Sequence, residues 1–158
     1  MEIKYLTLLR HNPIGNPSDP SFLRAIKPIS LQEIAQLEQL YNNGNPFPIA
    51  LKELLFLAGQ FCYVLDYGIF ENQQQMQEFV RSEMVEENKS LSRPFFVIDV
   101  YNLGDQFIFV YLDEGNNPPT YEGHYYASNQ GWISQVTPTL SGLINHGIDR
   151  VKQGRNPF

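Results

Sequence analysis

One cysteine, Cys62, stands in 158 residues, so an intrachain disulfide is excluded and nothing marks the chain for an oxidising compartment. Charge is scarce as well, at 18% of residues, and the positive kind is the scarcer: 11 Lys plus Arg against 17 Asp plus Glu. The resulting net charge of -6 repels phosphate backbones and anionic membrane surfaces on average, which argues against nucleic acid and membrane as partners. A basic polypeptide, by contrast, is attracted and steered. No stretch approaches the roughly 20 apolar residues that a membrane span needs. Residues 1–10 mix Glu2, Lys4 and Arg10 with short apolar pieces and lack the unbroken apolar run and small-residue cleavage site of a signal peptide, so a cytoplasmic location is expected. There is no internal repeat, no G-x-S-x-G turn, no Gly-rich phosphate loop and no basic patch interleaved with aromatics.

What the chain does hold is apolar and aromatic material, 42% and 13% of residues, enough to separate it from disordered chains. A globule of this length buries roughly 70% of the surface of its unfolded chain, so one real core is expected. Residues 1–28 carry Pro13, Pro17, Pro20 and Pro28 with Gly15 and Asn16, a composition that breaks helices. They read as an extended, proline-rich N-terminal arm with a short strand at 3–9, packed on a single domain at 29–158 through Leu6, Leu8, Phe22 and Ile26.

Ser30 and Glu33 have capping-box spacing, and Ile34, Leu37, Leu40 and Tyr41 then follow at helical intervals until Asn42-Asn43-Gly44 stops the run. Pro48 in a first turn and Gly59 as a C-terminal cap bracket a second helix, with Leu51, Leu54, Leu55 and Ala58 as its stripe. Residues 61–65 read as a strand. A third helix is expected over 72–88, where Asn72 and Gln75 have cap spacing and Met76, Phe79, Val80 and Met84 share a face opposite Glu78, Arg81, Glu86 and Glu87.

From Arg93 the pattern changes to strands, over 95–101, 106–112, 120–126 and 131–136, with turns at 102–105 and 115–119. In the first, strict alternation sets Phe95, Val97 and Tyr101 against Phe96, Ile98 and Val100. Thr137-Pro138 then reads as the start of a last helix, in which Gly142 and Gly147 are unfavourable. Helices, a strand, a helix, an antiparallel meander and a final helix describe an α+β domain.

The order of pieces resembles the SUKH superfamily, which includes the fungal Smi/Knr cell-wall regulator and many bacterial immunity proteins. The resemblance rests on Ile34-Ala35-Gln36-Leu37-Glu38, PFPIALKELLFLAG at 46–59, GDQFIFVYLD at 104–113, NNPPTY at 116–121 and the late Trp132, together spanning 29–148. The chain departs from the family pattern at Ala58-Gly59, where members commonly carry Asn-Gly, and in the arm, which has no counterpart. The resemblance implies an antiparallel meander packed on several helices. It also implies a non-catalytic bacterial immunity protein of a polymorphic toxin system, neutralising a cognate toxin, of nuclease type, by protein binding. The alternative it implies is a scaffold or regulatory adaptor with host partners.

The chemistry-bearing residues agree with a binding role. Cys62, between Phe61 and Tyr63, reads as a buried thiol and not as a nucleophile. His11, His124 and His146 lie far apart without ligand spacing, so no metal or other cofactor is expected, and His124, among tyrosines, reads as an interface residue. Asp99 and Asp105 are candidates for an acid and base pair in an enzymatic reading, which ranks below binding. The expected partner surface is acidic and aromatic: Asp66, Tyr67 and Glu71 with Asp113, Glu114, Tyr121 and Glu122.

Overall fold

The computed structural model describes residues 1–15, 25–66, 70–128 and 131–157, and they form an α+β domain. A short helix α1 (Thr7–His11) precedes α2 (Leu31–Tyr41), α3 (Ile49–Ala58) and α4 (Gln73–Glu86). Strands β1 (Phe95–Tyr101), β2 (Gln106–Tyr111), β3 (Thr120–His124) and β4 (Ile133–Thr137) pair in sequence order as an antiparallel meander, and α5 (Leu140–Lys152) closes the chain. Among the described residues no helix is long and apolar enough to cross a membrane.

Local signals set the helix starts. Ser30 accepts from the Glu33 amide while the Glu33 carboxylate accepts from the Ser30 amide, completing the capping box of α2. Asn72 accepts from the Gln75 amide at the start of α4 in the same way. Two expectations shift by a residue or two. Thr139, not Thr137, caps α5, accepting from the Gly142 amide, because Thr137 is held in β4 opposite Thr120. Leu40 lies on the solvent side of α2, 56% exposed, so Ile34 and Leu37 alone make its buried stripe.

The expected strand at 61–65 is absent: Phe61 makes one antiparallel bridge to Lys27, and Val64 and Leu65 turn their side chains into the core instead of pairing. The expected strand at 3–9 is helix α1, with the preceding Lys4, Tyr5 and Leu6 amides donating to the Glu53 carboxylate at 2.6, 2.9 and 2.8 Å. A carboxylate with no exposed surface on α3 thus takes up the amides at the start of α1, and Leu6 and Leu9 enter the core completely. Of the arm's apolar residues, Leu6 is buried and Leu8 and Ile26 are half-buried against the core, while Phe22 lies outside the described residues.

Strand β1 lies at one end of the sheet, yet six of its seven residues are buried. Its outer backbone is closed by α4. The Gln77 amide donates to the Val97 carbonyl at 2.7 Å and accepts from the Val97 amide at 2.9 Å, imitating a further strand, and Arg81 donates to the Phe95 carbonyl. Arg81, expected to face water, lies over the Phe95 and Tyr41 rings.

The strict alternation expected for β1 breaks at a bulge. Phe96 pairs with Val110 and Val97 with Phe109, but Asp99 pairs with Ile108, so Ile98 is the extra residue. Asp99 and Tyr101 therefore share a face with Phe96, Ile108 and Val110, while Val97 and Val100 join Phe107 and Phe109. On that second face Phe107 stacks on Tyr125, 5.1 Å between centroids, and its ring lies so close to Gly123 that a Cβ there would meet it at 2.4 Å.

Glu53→Ala is expected to lower unfolding free energy by about 2–3 kcal/mol, the scale for stranding buried donors. Glu53→Gln, which keeps one acceptor oxygen, is expected to lose less. Urea denaturation of both variants measures the difference, and equal losses would contradict a carboxylate-specific tie to the arm.

Candidate functional site

The hairpin register carries Arg93 to Asp113. Phe95 pairs with Tyr111 across β1 and β2, so the residues two steps outward on each strand meet at the sheet's end. The Arg93 guanidinium donates to both Asp113 oxygens, at 3.1 and 2.5 Å, and to Glu114 at 2.8 Å. Its flat face covers the Tyr111 ring, 4.0 Å from the centroid. Tyr111 meets Tyr121 edge to face at 5.0 Å, and the Tyr121 hydroxyl donates to the second Glu114 oxygen at 3.0 Å. Behind them, Phe109 stacks on Tyr121 and joins the patch to the core.

Every member of this cluster has a partner, so its side chains are ordered before anything binds. It is also accessible: the Arg93 and Asp113 side chains are 41% and 46% exposed, and Glu114 21%. Hydrogen bonding to Arg93 holds the Asp113 carboxyl below its ordinary range, and burial followed by the Glu114 hydrogen bond raises the Tyr121 hydroxyl. Two carboxylates against one guanidinium leave the cluster net negative.

Of the expected partner-binding residues, Asp113, Glu114 and Tyr121 come together here. Glu122 does not, since adjacent residues of a strand point to opposite faces; its carboxylate accepts from the Tyr101 hydroxyl on the Phe96 side. Asp66 is exposed near that side, its amide donating to Asp99 Oδ1 at 2.6 Å. Glu71 is exposed just before α4, its amide donating to the Gln75 side chain. Tyr67 lies outside the described residues. The seven residues thus form no single patch, and Arg93, which organises three of them, is missing from the sequence-based set.

The other candidates are quieter. Cys62 is fully buried and its thiol is pushed up to about 12 by desolvation, which removes the thiolate a nucleophile needs. His124 buries a ring nitrogen that has no hydrogen-bond partner among the described residues. Among the described residues no three of His, Cys, Asp and Glu converge as metal ligands do. Asp99 is fully buried in β1, its Oδ1 accepting from the Asp66 and Val100 amides, and desolvation lifts its carboxyl to about 7. No family model, curated protein or solved structure matches the chain.

The raised Asp99 carboxyl has a signed consequence. A folded-state value above the unfolded one near 4 means that the fold favours the protonated acid. This contribution is complete below the unfolded value and is lost as pH rises to about 7, on the order of a few kcal/mol. Asp113 and Glu33, both lowered, act in the opposite sense at lower pH. Comparing urea midpoints of the wild type and Asp99→Asn across this range isolates the effect: the variant is expected to gain relative stability as pH rises, and parallel curves would refute it.

Proposed function

We propose that this chain is a cytoplasmic immunity protein of the SUKH type, binding a cognate basic toxin domain and blocking it without catalysing a reaction. The observation that carries the reading is the ordered cluster of Arg93, Tyr111, Asp113, Glu114 and Tyr121 at the sheet's end. Tyr and Arg dominate the energetics of protein interfaces because they bury large rigid areas while keeping polar tips, and side chains already held in place lose little entropy on binding. A net negative cluster on a chain of charge -6 draws a basic partner and repels nucleic acid that such a toxin attacks. The α+β order, with an antiparallel meander following the helices and a helix closing the chain, supports the resemblance.

Binding through this cluster depends on shape and charge together. Tyr121 supplies the ring, Glu114 fixes its hydroxyl, and Arg93 holds both carboxylates in one direction. Removing Arg93 therefore releases the carboxylates, and removing Tyr121 takes away the anchor.

The test is co-expression with the toxin encoded beside this gene. The toxin alone is expected to kill, and the pair to survive. Tyr121→Ala and Arg93→Ala are expected to weaken the purified complex at least about tenfold, the range of interface anchors, and added salt to slow its association. Death in the presence of the intact protein, or recovery of the same endogenous partner from hosts without any toxin gene, would overturn the reading; the second result would favour an adaptor.

A further inference from the structure

A cleft of about 260 Å3 separates α5 from the Phe96 face of the sheet. Its walls are mainly apolar, made by Val64, Leu65, Ile108, Val136, Leu143 and Pro157. Gly147 brings α5 against the loop after α3, since a Cβ there would sit 2.9 Å from Val64 Cβ, and both residues line the space. The bulge at Ile98 sets Asp99 in this apolar wall.

Asp99 is fully buried and uses only half its carboxylate. Oδ1 accepts two backbone amides, and Oδ2 has no hydrogen-bond partner among the described residues. A buried acceptor left unmade costs its full desolvation, so such an atom asks for a donor from outside the chain. A small ligand pocket has this character: apolar walls and few polar groups. The Tyr101 hydroxyl is turned to Glu122 and Arg150 Nε to the Asn156 carbonyl, which leaves the Asp99 oxygen as the natural anchor.

We propose that this cleft binds a primary ammonium on a short apolar stem, the stem lying against Ile108, Val136 and Leu143 and the ammonium donating to Asp99 Oδ2. The site is separate from the Arg93 cluster and does not rest on the immunity reading. Its ligand chemistry has two sources, a free alkylamine or the lysine side chain of a polypeptide.

The charged surroundings set the pH dependence. Arg150 faces the cleft from α5 and opposes a cation, with the His146 imidazole also on that wall; Asp66, on the loop packed against β1, and Glu122, on β3, favour one. Cys62, close by on the loop after α3, stays a neutral thiol, and the Tyr101 hydroxyl donates to Glu122. Attraction then requires an ionised Asp99. With that carboxyl near 7, affinity for the ammonium rises about tenfold between about pH 6 and pH 8.

The full chain is titrated with n-pentylamine and with 1-pentanol, following backbone amide resonances. The amine is expected to bind at least tenfold more tightly than the alcohol and to shift the amides of Asp99, Val100 and Leu143. Asp99→Asn keeps the Oδ1 acceptor for both amides; it is expected to erase the preference for amine and to flatten the pH profile although His146 remains. Val136→Trp, at a position 44% exposed and taking no part in those hydrogen bonds, is expected to crowd the cleft and weaken both probes. N-acetyl-lysine N-methylamide separates the sources. Binding as tight as pentylamine supports a lysine side chain as occupant, and binding of pentylamine alone supports a free amine. Equal binding of amine and alcohol, an unchanged preference in Asp99→Asn, or no binding of either probe at millimolar concentration would overturn the proposal.

Discussion

The outer backbone of β1 must be satisfied although, among the described residues, no strand lies beside it, and much of the molecule follows from how that is done. A strand with six buried residues cannot leave its amides and carbonyls to water. The Gln77 side chain takes one residue's donor and acceptor together, and Arg81 takes a carbonyl two residues away. Both come from one face of α4, four residues apart, so the helix is fixed in position along the strand. The same placement sets Arg81 over two aromatic rings, and burial there lowers the guanidinium's ordinary value. A neutral amide closes the centre of the edge, and the charged group stands nearer its end.

With β1 pinned, the bulge at Ile98 divides the sheet's labour. Ahead of it, the pairing continues outward to Arg93 and Asp113 and builds the aromatic and charged cluster. Beyond it, side chains exchange faces, and the one acidic residue of the strand turns to the α5 side. Without the extra residue, Asp99 would face Phe107 and Phe109 and turn away from the cleft beneath α5. The two candidate sites therefore descend from one pairing register and lie on different parts of it.

Local chemistry was the legible part of this fold. Ser30 with Glu33 and Asn72 with Gln75 mark helix starts because a cap needs only residues three apart, and the meander shows in its apolar runs and Gly-rich turns. Long-range ties were not legible. Glu53 reads as an ordinary helix carboxylate until the arm's three amides arrive from nearly 50 residues away, and the arm becomes helical there despite its proline-rich continuation. Residues 61–65 have strand composition, yet among the described residues they enter no ladder and form a bridge at Phe61, to Lys27. For the site, alternation alone separates Tyr121 from Glu122, and a hairpin pairing Phe95 with Tyr111 implies that Arg93 meets Asp113. Those two signals lay in the sequence, whereas the bulge, which follows from packing on both faces, did not.

Asp99 has the plainest relation between cost and use. The fold needs one oxygen at this position, to accept the Asp66 and Val100 amides, and an asparagine would supply it without a charge to desolvate. The second oxygen takes no hydrogen bond from the described residues, and burial raises the carboxyl to about 7 at the expense of stability near neutral pH. A group that weakens the fold while lining a mainly apolar cleft is best explained by what enters the cleft. An ammonium there would return the stability that ionisation removes, because a ligand bound to the folded chain alone shifts the folding equilibrium in its favour. On this argument the acid is a binding group held in place by the fold's own hydrogen bonds, and the cleft is where its unused oxygen is completed.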